Sequence, residues 1–436
     1  MTRSLTTLLD FPTVRNAIRR SEFSLEVERL ASQKIPQPEH FNAPRLALVT
    51  FSHFSIDTYS SFLAPLLPLL LVKFHLSLAL VGVLVTLSTL MSGLGQPFFG
   101  FLADKFRNRI FILAGPIIAA FFIAQIGRAW NYESLLVLIL LSAVGAAIFH
   151  PQAAAMAGQV SSGRRGFGVS IFMMGGRFGY ATGPLVAAYV ASRYGMVQLQ
   201  YTFLPILLVV GLLFLYCPAP SGPGRKGSFK ELAGSVQKAG KPLLYVCLIE
   251  ILRSGLMSAL ASFLPLLYTQ KGLSLIQAGA TSTIFLASGA VGSLLGGYSS
   301  DRWGRRHVIL TAMTLSFPVF YLFLHTSGPI SFVFLGLTGL VLLSTLAVTI
   351  ALAQEMLPAS ASMASSIMLG FAWMVGSLLS TLVGVLGDHI GIPGAFNVVG
   401  LVIPVAAFLA WRLPAESRLR APHRVPAEVA VRSSKI

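Results

Sequence analysis

Two ten-residue stretches decide the fold of this chain. Residues 297–306 read Gly297-Tyr-Ser-Ser-Asp301-Arg302-Trp-Gly304-Arg305-Arg306. Residues 100–109 read Gly100-Phe-Leu-Ala-Asp104-Lys105-Phe-Arg-Asn-Arg109. A shift of 197 residues aligns the glycine, the aspartate, the cation after it and the final arginine. Repetition at nearly half the chain length indicates an internal duplication.

The duplication extends beyond these stretches. The same shift of 197 residues aligns Leu76-Ser77-Leu78 with Leu273-Ser274-Leu275, and Pro68-Leu69-Leu70 with Pro265-Leu266-Leu267. Both copies run in the same direction along the chain. We therefore expect two structural halves related by a pseudo-twofold axis.

Composition sets the class of protein. Of the 436 residues, 55% are apolar and only 11% are charged, whereas soluble proteins average about 25% charged residues. Apolar runs of 18 or more residues recur, are long enough to cross a bilayer as helices, and do not alternate as barrel strands do. We predict an all-α polytopic membrane protein with twelve transmembrane helices in two six-helix halves. The predicted spans are residues 44–71, 78–102, 109–129, 132–157, 164–192, 197–217, 242–270, 274–298, 306–326, 329–356, 361–388 and 391–413.

The distribution of positive charge predicts the orientation. With the N-terminus in the cytoplasm, 26 of the 32 Lys and Arg residues lie on the cytoplasmic side. The positive-inside rule then places both termini in the cytoplasm of a plasma (inner) membrane protein. This bias accounts for the net charge of +17 without a nucleic-acid partner. The cations on the opposite side are Lys73, Arg128, Arg193 and Lys271, and those inside spans are Arg177 and Arg253.

Five regions follow from the spans. We predict a cytoplasmic N-terminal extension (1–43), an N-terminal six-helix bundle (44–217), a cytoplasmic linker rich in Pro, Gly and cations (218–241), a C-terminal six-helix bundle (242–413) and a cytoplasmic tail (414–436). The extension lacks the long apolar core of a signal peptide. Its apolar residues recur at helical spacing beside arginines, which suits either a helix on the inner leaflet or a solvated tail.

The repeated stretch resembles the loop signature G-x-x-x-D-R-x-G-R-R of major facilitator transporters, and residues 297–306 lie where that family has it, between helices 8 and 9. The earlier copy departs from the pattern at Arg107, where glycine is usual. Glycine lets helices approach closely, and the aspartate can accept hydrogen bonds from a helix N-terminus. The resemblance implies a conformational latch. Its residues are Gly100, Asp104, Lys105, Arg109, Gly297, Asp301, Arg302, Gly304, Arg305 and Arg306.

A closer resemblance covers residues 44–413 and is to the fosmidomycin-resistance type of this family. It rests on His53-x-x-x-Asp57, Phe149-His150-Pro151, the glycine element that ends in Gly183-Pro184, Leu252-Arg253-Ser254 and residues 353–358. The resemblance implies proton-driven efflux of small molecules, some of them anionic, by a monomer. Arg177 and the long N-terminal extension depart from the type and leave the substrate open. The glycines at 175, 176, 179 and 183 predict close helix packing.

Ionisable residues inside spans are the candidates for function, because burying charge in a membrane is costly. Asp57 is the predicted proton carrier, since a desolvated carboxyl can load and unload a proton near neutral pH. His53, one helical turn away, is the predicted relay. The predicted substrate-binding residues are Arg177, Arg253, Glu250, His150, Trp373 and Tyr59. The arginines would hold an anionic group. The alternative is that Asp57–Arg177 and Glu250–Arg253 are standing ion pairs that lock helices.

These features predict a secondary transporter that works by alternating access, with proton-coupled efflux as the leading hypothesis. Proton-coupled uptake of an organic anion and a transporter-like receptor are the alternatives. The sequence lacks H-E-x-x-H, G-x-S-x-G and P-loop motifs, so we expect neither an enzyme nor ATP-driven transport. Two cysteines make neither a metal signature nor a disulfide framework, and no cofactor is predicted. The expected partners are a small-molecule substrate, the proton and the lipid bilayer.

Overall fold

The transmembrane helices account for almost all of the described chain. The structure is a computed structural model that describes residues 41–106, 109–161, 165–217, 229–357, 364–365 and 367–414. Ten helical segments in this part of the chain are long and apolar enough to cross a membrane. The helix Arg165–Tyr194 adds another, although its glycines and arginines lower its mean hydropathy. The segment Ile367–Trp411 contains two spans, because Gly391 breaks it with a φ of 72°. The predicted twelve-helix fold is confirmed.

The first half contains α1 (Ala43–Phe74), α2 (Leu78–Phe106), α3 (Ile110–Arg128), α4 (Tyr132–Val160), α5 (Arg165–Tyr194) and α6 (Met196–Tyr216). The second half contains α7 (Gly240–Gln270), α8 (Leu275–Trp303), α9 (Arg305–His325), α10 (Pro329–Met356), α11 (367–390) and α12 (392–411). A helical stretch that starts at Phe229 precedes α7 and bends at Gly240, which has a φ of 56°.

Local chemistry sets several helix ends. Asn131 caps α4 and forms a capping box with Ser134, and Ser274 does the same for α8 with Gln277. Such boxes satisfy backbone N–H groups that have no partner inside the helix. Gly304 separates α8 from α9 with a φ of 92°, a conformation that favours glycine. Short connections therefore place consecutive helices side by side.

The positions of the chain ends distinguish the two faces of the helical bundle. The terminal face is where α1 begins and α12 ends, and the far face is opposite. At the terminal face the Asn42 N–H donates to the carbonyl of Val160 at the end of α4, over 2.9 Å. Because each half has an even number of spans, both halves start and finish at this face.

Matching contacts show the duplication in three dimensions. Arg109 Nη1 donates to the carbonyls of Phe214 and Cys217 at the end of α6, over 3.2 and 3.3 Å. Arg306 donates to the carbonyls of Trp411 and Leu413 at the end of α12, over 2.8 Å each. Arg306 follows Arg109 by 197 residues, and Trp411 follows Phe214 by the same interval. Arginine at a helix C-terminus satisfies free carbonyls and stabilises the helix dipole.

Glycines allow α5 to pack tightly on α1. A Cβ atom at Gly179 would lie 2.0 Å from the Phe54 carbonyl oxygen, and one at Gly183 would lie 2.2 Å from that of Thr58. These separations are far below van der Waals contact, so the helices approach only because these side chains are absent. The predicted packing role of this glycine element is confirmed.

The halves meet closely near the far face. There α2 packs on α11, and a Cβ atom at Gly384 would lie 2.2 Å from the Leu78 carbonyl oxygen. Likewise α5 packs on α8, where a Cβ atom at Gly279 would lie 2.9 Å from the Pro184 carbonyl oxygen. These contacts close the interface between the halves at that end.

Several predictions fall outside the described part of the chain. They concern the extension over residues 1–40, the first part of the predicted linker (218–228), the tail beyond residue 414, Arg107, and the side chains of Asp104 and Lys105.

Candidate functional site

A cavity of about 840 Å³ lies between the two halves. Its lining reaches Ala103 and Gln159, at the terminal ends of α2 and α4, and Ser365, which precedes α11 at the same face. Towards the far face the lining stops at Val85 on α2 and Ser262 on α7, well short of the helix ends. The cavity is therefore open to the terminal face and closed at the far face.

A cluster of two histidines and one aspartate lines this cavity. His53 Nε2 lies 3.2 Å from Asp57 Oδ2, and His150 Nε2 lies 3.0 Å from Asp57 Oδ1. The other ring nitrogens face backbone carbonyls, His53 Nδ1 at 2.8 Å from Phe172 O and His150 Nδ1 at 2.6 Å from Ala146 O. Helical spacing puts His53 and Asp57 on one face of α1, and α4 supplies His150. The structure thus unites three residues that the sequence placed in two separate motifs.

The hydrogen-bonding pattern of this cluster suits bound protons. Each imidazole faces an acceptor at both nitrogens, but a neutral imidazole has only one N–H to donate. When both Nδ1 atoms donate to their carbonyls, the two Nε2 lone pairs face the carboxylate of Asp57. One or two further protons, shared among His53, Asp57 and His150, turn these contacts into hydrogen bonds. The cluster can therefore gain and lose protons with little movement.

The same three groups have the spacing of metal ligands. Their candidate ligand atoms lie within 4.8 Å of one another, and His and Asp are common ligands of transition metals. Protons shared between the imidazoles and the carboxylate would account equally well for the close contacts to Asp57. An assay with and without a chelator would distinguish bound protons from a bound metal ion.

Among the described residues that line the cavity, Arg177 is the one arginine or lysine. It lines the wall on α5, and within the described part of the chain it makes no hydrogen bond or ion pair. The charges that act on it come from Arg253, Glu250 and Asp57. The Asp57–Arg177 ion pair, which the sequence offered as the alternative, is not formed in the described part of the chain; the two histidines contact the two oxygens of Asp57 instead. A half-buried guanidinium with free N–H donors suits a carboxylate, phosphate or phosphonate group.

Glu250 and Arg253 form a buried ion pair beside the cavity. Both side chains have no solvent-exposed area. Glu250 also accepts hydrogen bonds from Thr349 Oγ1 at 2.8 Å and from Trp373 Nε1 at 3.0 Å. Neither member of the pair is part of the cavity lining. The geometry therefore does not support the predicted direct contact with substrate and favours the standing ion pair.

The two aromatic candidates lie in different surroundings. Trp373 is half-buried in α11 and lines the cavity. Tyr59 is buried and donates its hydroxyl to the carbonyl of Thr202 in α6. It is absent from the cavity lining, so the structure assigns it to packing of α1 on α6 instead of the predicted substrate contact.

The described latch residues make contacts inside their own halves. Arg305 bridges Asp301 at 2.6 Å and Glu355 at 3.0 Å, which joins α8, α9 and α10. Arg302 lies over the ring of Tyr298, with its guanidinium carbon 4.4 Å from the ring centroid. Gly100 packs beside Pro151, and Gly297 beside Ala347. These contacts hold the turns of the terminal face.

Comparison with known proteins identifies the family. The sequence profile of the Major Facilitator Superfamily matches residues 49–275 and 246–434. The chain belongs to the Major Facilitator Superfamily.

Two curated relatives support this membership. The Fosmidomycin resistance protein of Escherichia coli (strain K12) is 29% identical over 295 residues, which cover 65% of this chain and 72% of that protein. The Multidrug resistance protein MdtG of Citrobacter koseri is 27% identical over 251 residues, or 54% of this chain and 60% of that protein. This superfamily member is therefore an integral membrane protein of the secondary-transport class, and it is not an enzyme.

A solved structure shows the same fold. The crystal structure of a bacterial homologue of the human lysosomal transporter Spinster, in an inward-facing and occupied conformation, matches with a TM-score of 0.76. The sequences are 16% identical, and the match covers 88% of this chain and 99% of that chain.

In this superfamily member, two residues make notable contacts but were not among the site residues predicted from the sequence. Asp388, near the end of α11, accepts hydrogen bonds from the first residues of α2. Thr349 completes the bonding of Glu250. The position of Asp388, a carboxylate at the end of a predicted span, could have indicated its role. Nothing in the sequence indicated the role of Thr349, because threonine is common inside helices of this kind.

Proposed function

We propose that this transporter exports small organic anions in exchange for protons, by alternating access of the central cavity. In this proposal both termini face the cytoplasm of the plasma (inner) membrane, the protein works as a monomer, and the bundles 44–217 and 242–413 rock about the cavity. The charge bias between the two faces supports the orientation. The names of the two curated relatives, which refer to resistance, support efflux.

One observation carries the proposal: a cluster of two histidines and a carboxylate lines the same cavity as a cation without an ion-pair partner. In this proposal His53, Asp57 and His150 share protons, and Arg177 offers unused N–H donors. With this orientation, the cavity opens to the cytoplasm, where an exported substrate would enter. Neighbouring helices close the opposite end.

Exchange requires that substrate and proton compete. An anion held by Arg177 that also donates a hydrogen bond to Asp57 takes the place of a shared proton in the cluster. Binding then releases the proton to the cytoplasm. Opening towards the far face would release the substrate and let a new proton bind the cluster.

Proton-coupled uptake is the second candidate, and a specific observation favours it. Asp57 and Arg177 line the same cavity, so an anion that reaches Arg177 without touching Asp57 would favour a protonated cluster. Anion and proton would then move together. The direction of proton movement separates the two candidates.

The test is proton flux in sealed inside-out vesicles with an acidic interior and a pH-sensitive dye, in the presence of EDTA. Fosmidomycin and other small organic anions are added to wild type, Asp57→Asn and Arg177→Gln. The exposed carboxylate Glu133 supplies the control, Glu133→Gln.

We expect the anion to release protons from the vesicles in wild type and in Glu133→Gln, but not in Asp57→Asn or Arg177→Gln. Protons that move with the anion would establish uptake instead. Normal proton release in Asp57→Asn would contradict the assignment of the carrier. Loss of flux with EDTA in wild type would assign the cluster to a metal ion.

A further inference from the structure

The two walls of the cavity differ in chemistry. The side chains of His53, Asp57, His150 and Arg177 all belong to the first half. Across the cavity, the described lining of α7, α8, α10 and α11 contains no charged residue. That wall presents serines together with Trp373, Met257, Leu286, Leu343, Leu346 and Leu369. A ligand that spans this cavity therefore meets charge on one side and apolar surface on the other.

A hydrogen bond to a residue outside the cavity lining holds the indole of Trp373 in place. Its Nε1–H donates to Glu250 Oε1 over 3.0 Å. Arg253 donates to both oxygens of Glu250, and Thr349 Oγ1 donates to Oε2 over 2.8 Å. The carboxylate thus accepts four hydrogen bonds, two at each oxygen, which occupy all of its acceptor positions. Because Glu250 is buried and its four hydrogen bonds come from three different residues, it fixes the indole against the cavity and leaves the ring available for contact.

The duplication relates these groups to the charged wall. A shift of 197 residues aligns His53 with Glu250, and a shift of 196 aligns Arg177 with Trp373. Positions that carry the proton cluster and the cation in one half carry a locked ion pair and an aromatic ring in the other. The duplicated cavity has therefore become asymmetric, with one charged wall and one apolar wall.

We infer that the cavity takes amphipathic organic anions, with the anionic group on Arg177 and an aromatic or apolar body against Trp373. Glu250 and Arg253 are positioning residues that act through Trp373. This inference rests on the proposed function, since it takes Arg177 as the anion-binding residue. To the proposed function it adds the class of substrate, amphipathic organic anions, and the residue that selects this class, Trp373.

The test compares phenylphosphonate with methylphosphonate, which share an anionic group and differ in the apolar body. Binding to the full-length protein in nanodiscs is measured by calorimetry. We expect phenylphosphonate to bind about tenfold more tightly than methylphosphonate, because it adds aromatic contact and apolar burial. In Trp373→Leu this preference should fall to about twofold or less, because phenylphosphonate loses its aromatic contact. The control Trp411→Phe, an exposed tryptophan at the end of α12, should keep the tenfold preference.

The positioning role needs a variant that leaves no unpaired charge buried. Glu250→Leu combined with Arg253→Met removes both charges and the hydrogen bond to Trp373. We expect this protein to keep methylphosphonate binding and to lose most of the preference for phenylphosphonate. With Trp130, Trp303 and Trp411 replaced by Phe, the fluorescence anisotropy of Trp373 should fall in the same variant, because its ring is released. An unchanged anisotropy and an unchanged preference would overturn the positioning role.

The outcomes separate this inference from the proposed function. Equal affinity for the two phosphonates, abolished for both by Arg177→Gln, would overturn the inference and leave anion recognition intact. Binding of both compounds that is insensitive to Arg177→Gln would overturn the proposed function. Failure of both compounds to bind wild type would contradict both proposals.

Discussion

The carboxylate of Asp388 caps the N-terminus of α2 at Leu78. Asp388 Oδ1 accepts from the Leu78 N–H over 2.8 Å, and Oδ2 accepts from the Ala79 N–H over 2.9 Å. The first N–H groups of a helix lack partners inside it and carry partial positive charge. Because Asp388 belongs to α11 and Leu78 to α2, these bonds join the two halves at the far face. They must break before the cavity opens there.

Replacement of Asp388 by alanine should favour the far-open conformation. It removes two charge-assisted hydrogen bonds, which together stabilise the closed far face by about 1–3 kcal/mol, or about 5–150-fold in the equilibrium. The measurement is the alkylation rate of a cysteine placed at Ser60, which lines the cavity, by an impermeant maleimide added at the far face. We expect a faster rate in Asp388→Ala than in Glu133→Gln, which removes an exposed carboxylate at the same face. Equal rates would show that this contact does not close the gate.

Replacement of Gly179 by alanine should destabilise the first half. The added Cβ would lie 2.0 Å from the Phe54 carbonyl oxygen, so α5 must move away from α1. Overpacking of this kind costs about 1–3 kcal/mol. Thermal unfolding in detergent should show a lower Tm for Gly179→Ala. Gly211 has no atom within 4 Å of its added Cβ, so Gly211→Ala is the matched control and should leave the Tm nearly unchanged. A similar Tm for both variants would contradict the close packing of α1 and α5.

The single change at Glu250 should destabilise the protein much more than the paired change at Glu250 and Arg253. Glu250→Ala leaves Arg253 buried without a partner, which costs about 3–5 kcal/mol. The double change to Glu250→Leu and Arg253→Met removes both charges with little loss of volume and should restore most of the stability. The measurement is the midpoint of thermal unfolding for each variant. A double variant as unstable as Glu250→Ala would show that the pair contributes more than mutual neutralisation.

Arg109 should control access to Cys217. Cys217 is buried at the end of α6, where Arg109 binds its carbonyl and that of Phe214. Arg109→Ala removes these bonds, so the end of α6 should fray and the thiol should become accessible. We expect alkylation of Cys217 by N-ethylmaleimide, in a Cys247→Ala background, to rise about tenfold or more, as expected for a loss of about 1.5 kcal/mol of local stability.

The control for this change lies at the other end of the bundle. Arg128 donates to Gln200 Oε1 at the far face over 3.0 Å, so Arg128→Ala removes an arginine without touching α6 at its terminal end. It should leave the Cys217 rate unchanged. If Arg109→Ala also left that rate unchanged, Arg109 would not hold the end of α6.

The sequence alone determined the twelve helices and their two halves. Apolar length fixes each span, since a bilayer admits almost no other structure, and the repeated motif fixes the relation between the halves. The matching contacts of Arg109 and Arg306 follow directly from that repeat. The pairing of Glu250 with Arg253 was also an option in the sequence, because i and i+3 residues share one face of a helix.

Only the tertiary structure decided which ionisable residues meet. His150 lies 93 residues after Asp57, and no local spacing brings α4 to α1 at that depth. In the assembled bundle, His53 and His150 contact the two oxygens of Asp57, and Arg177 makes no ion pair within the described part of the chain. The sequence, by contrast, allowed an Asp57–Arg177 pair. Helix periodicity fixes the face on which a side chain lies along its own helix, but rotation and depth relative to a neighbouring helix depend on the packing of both. The partners of Asp57, Glu250 and Asp388 were therefore decided by the assembled bundle.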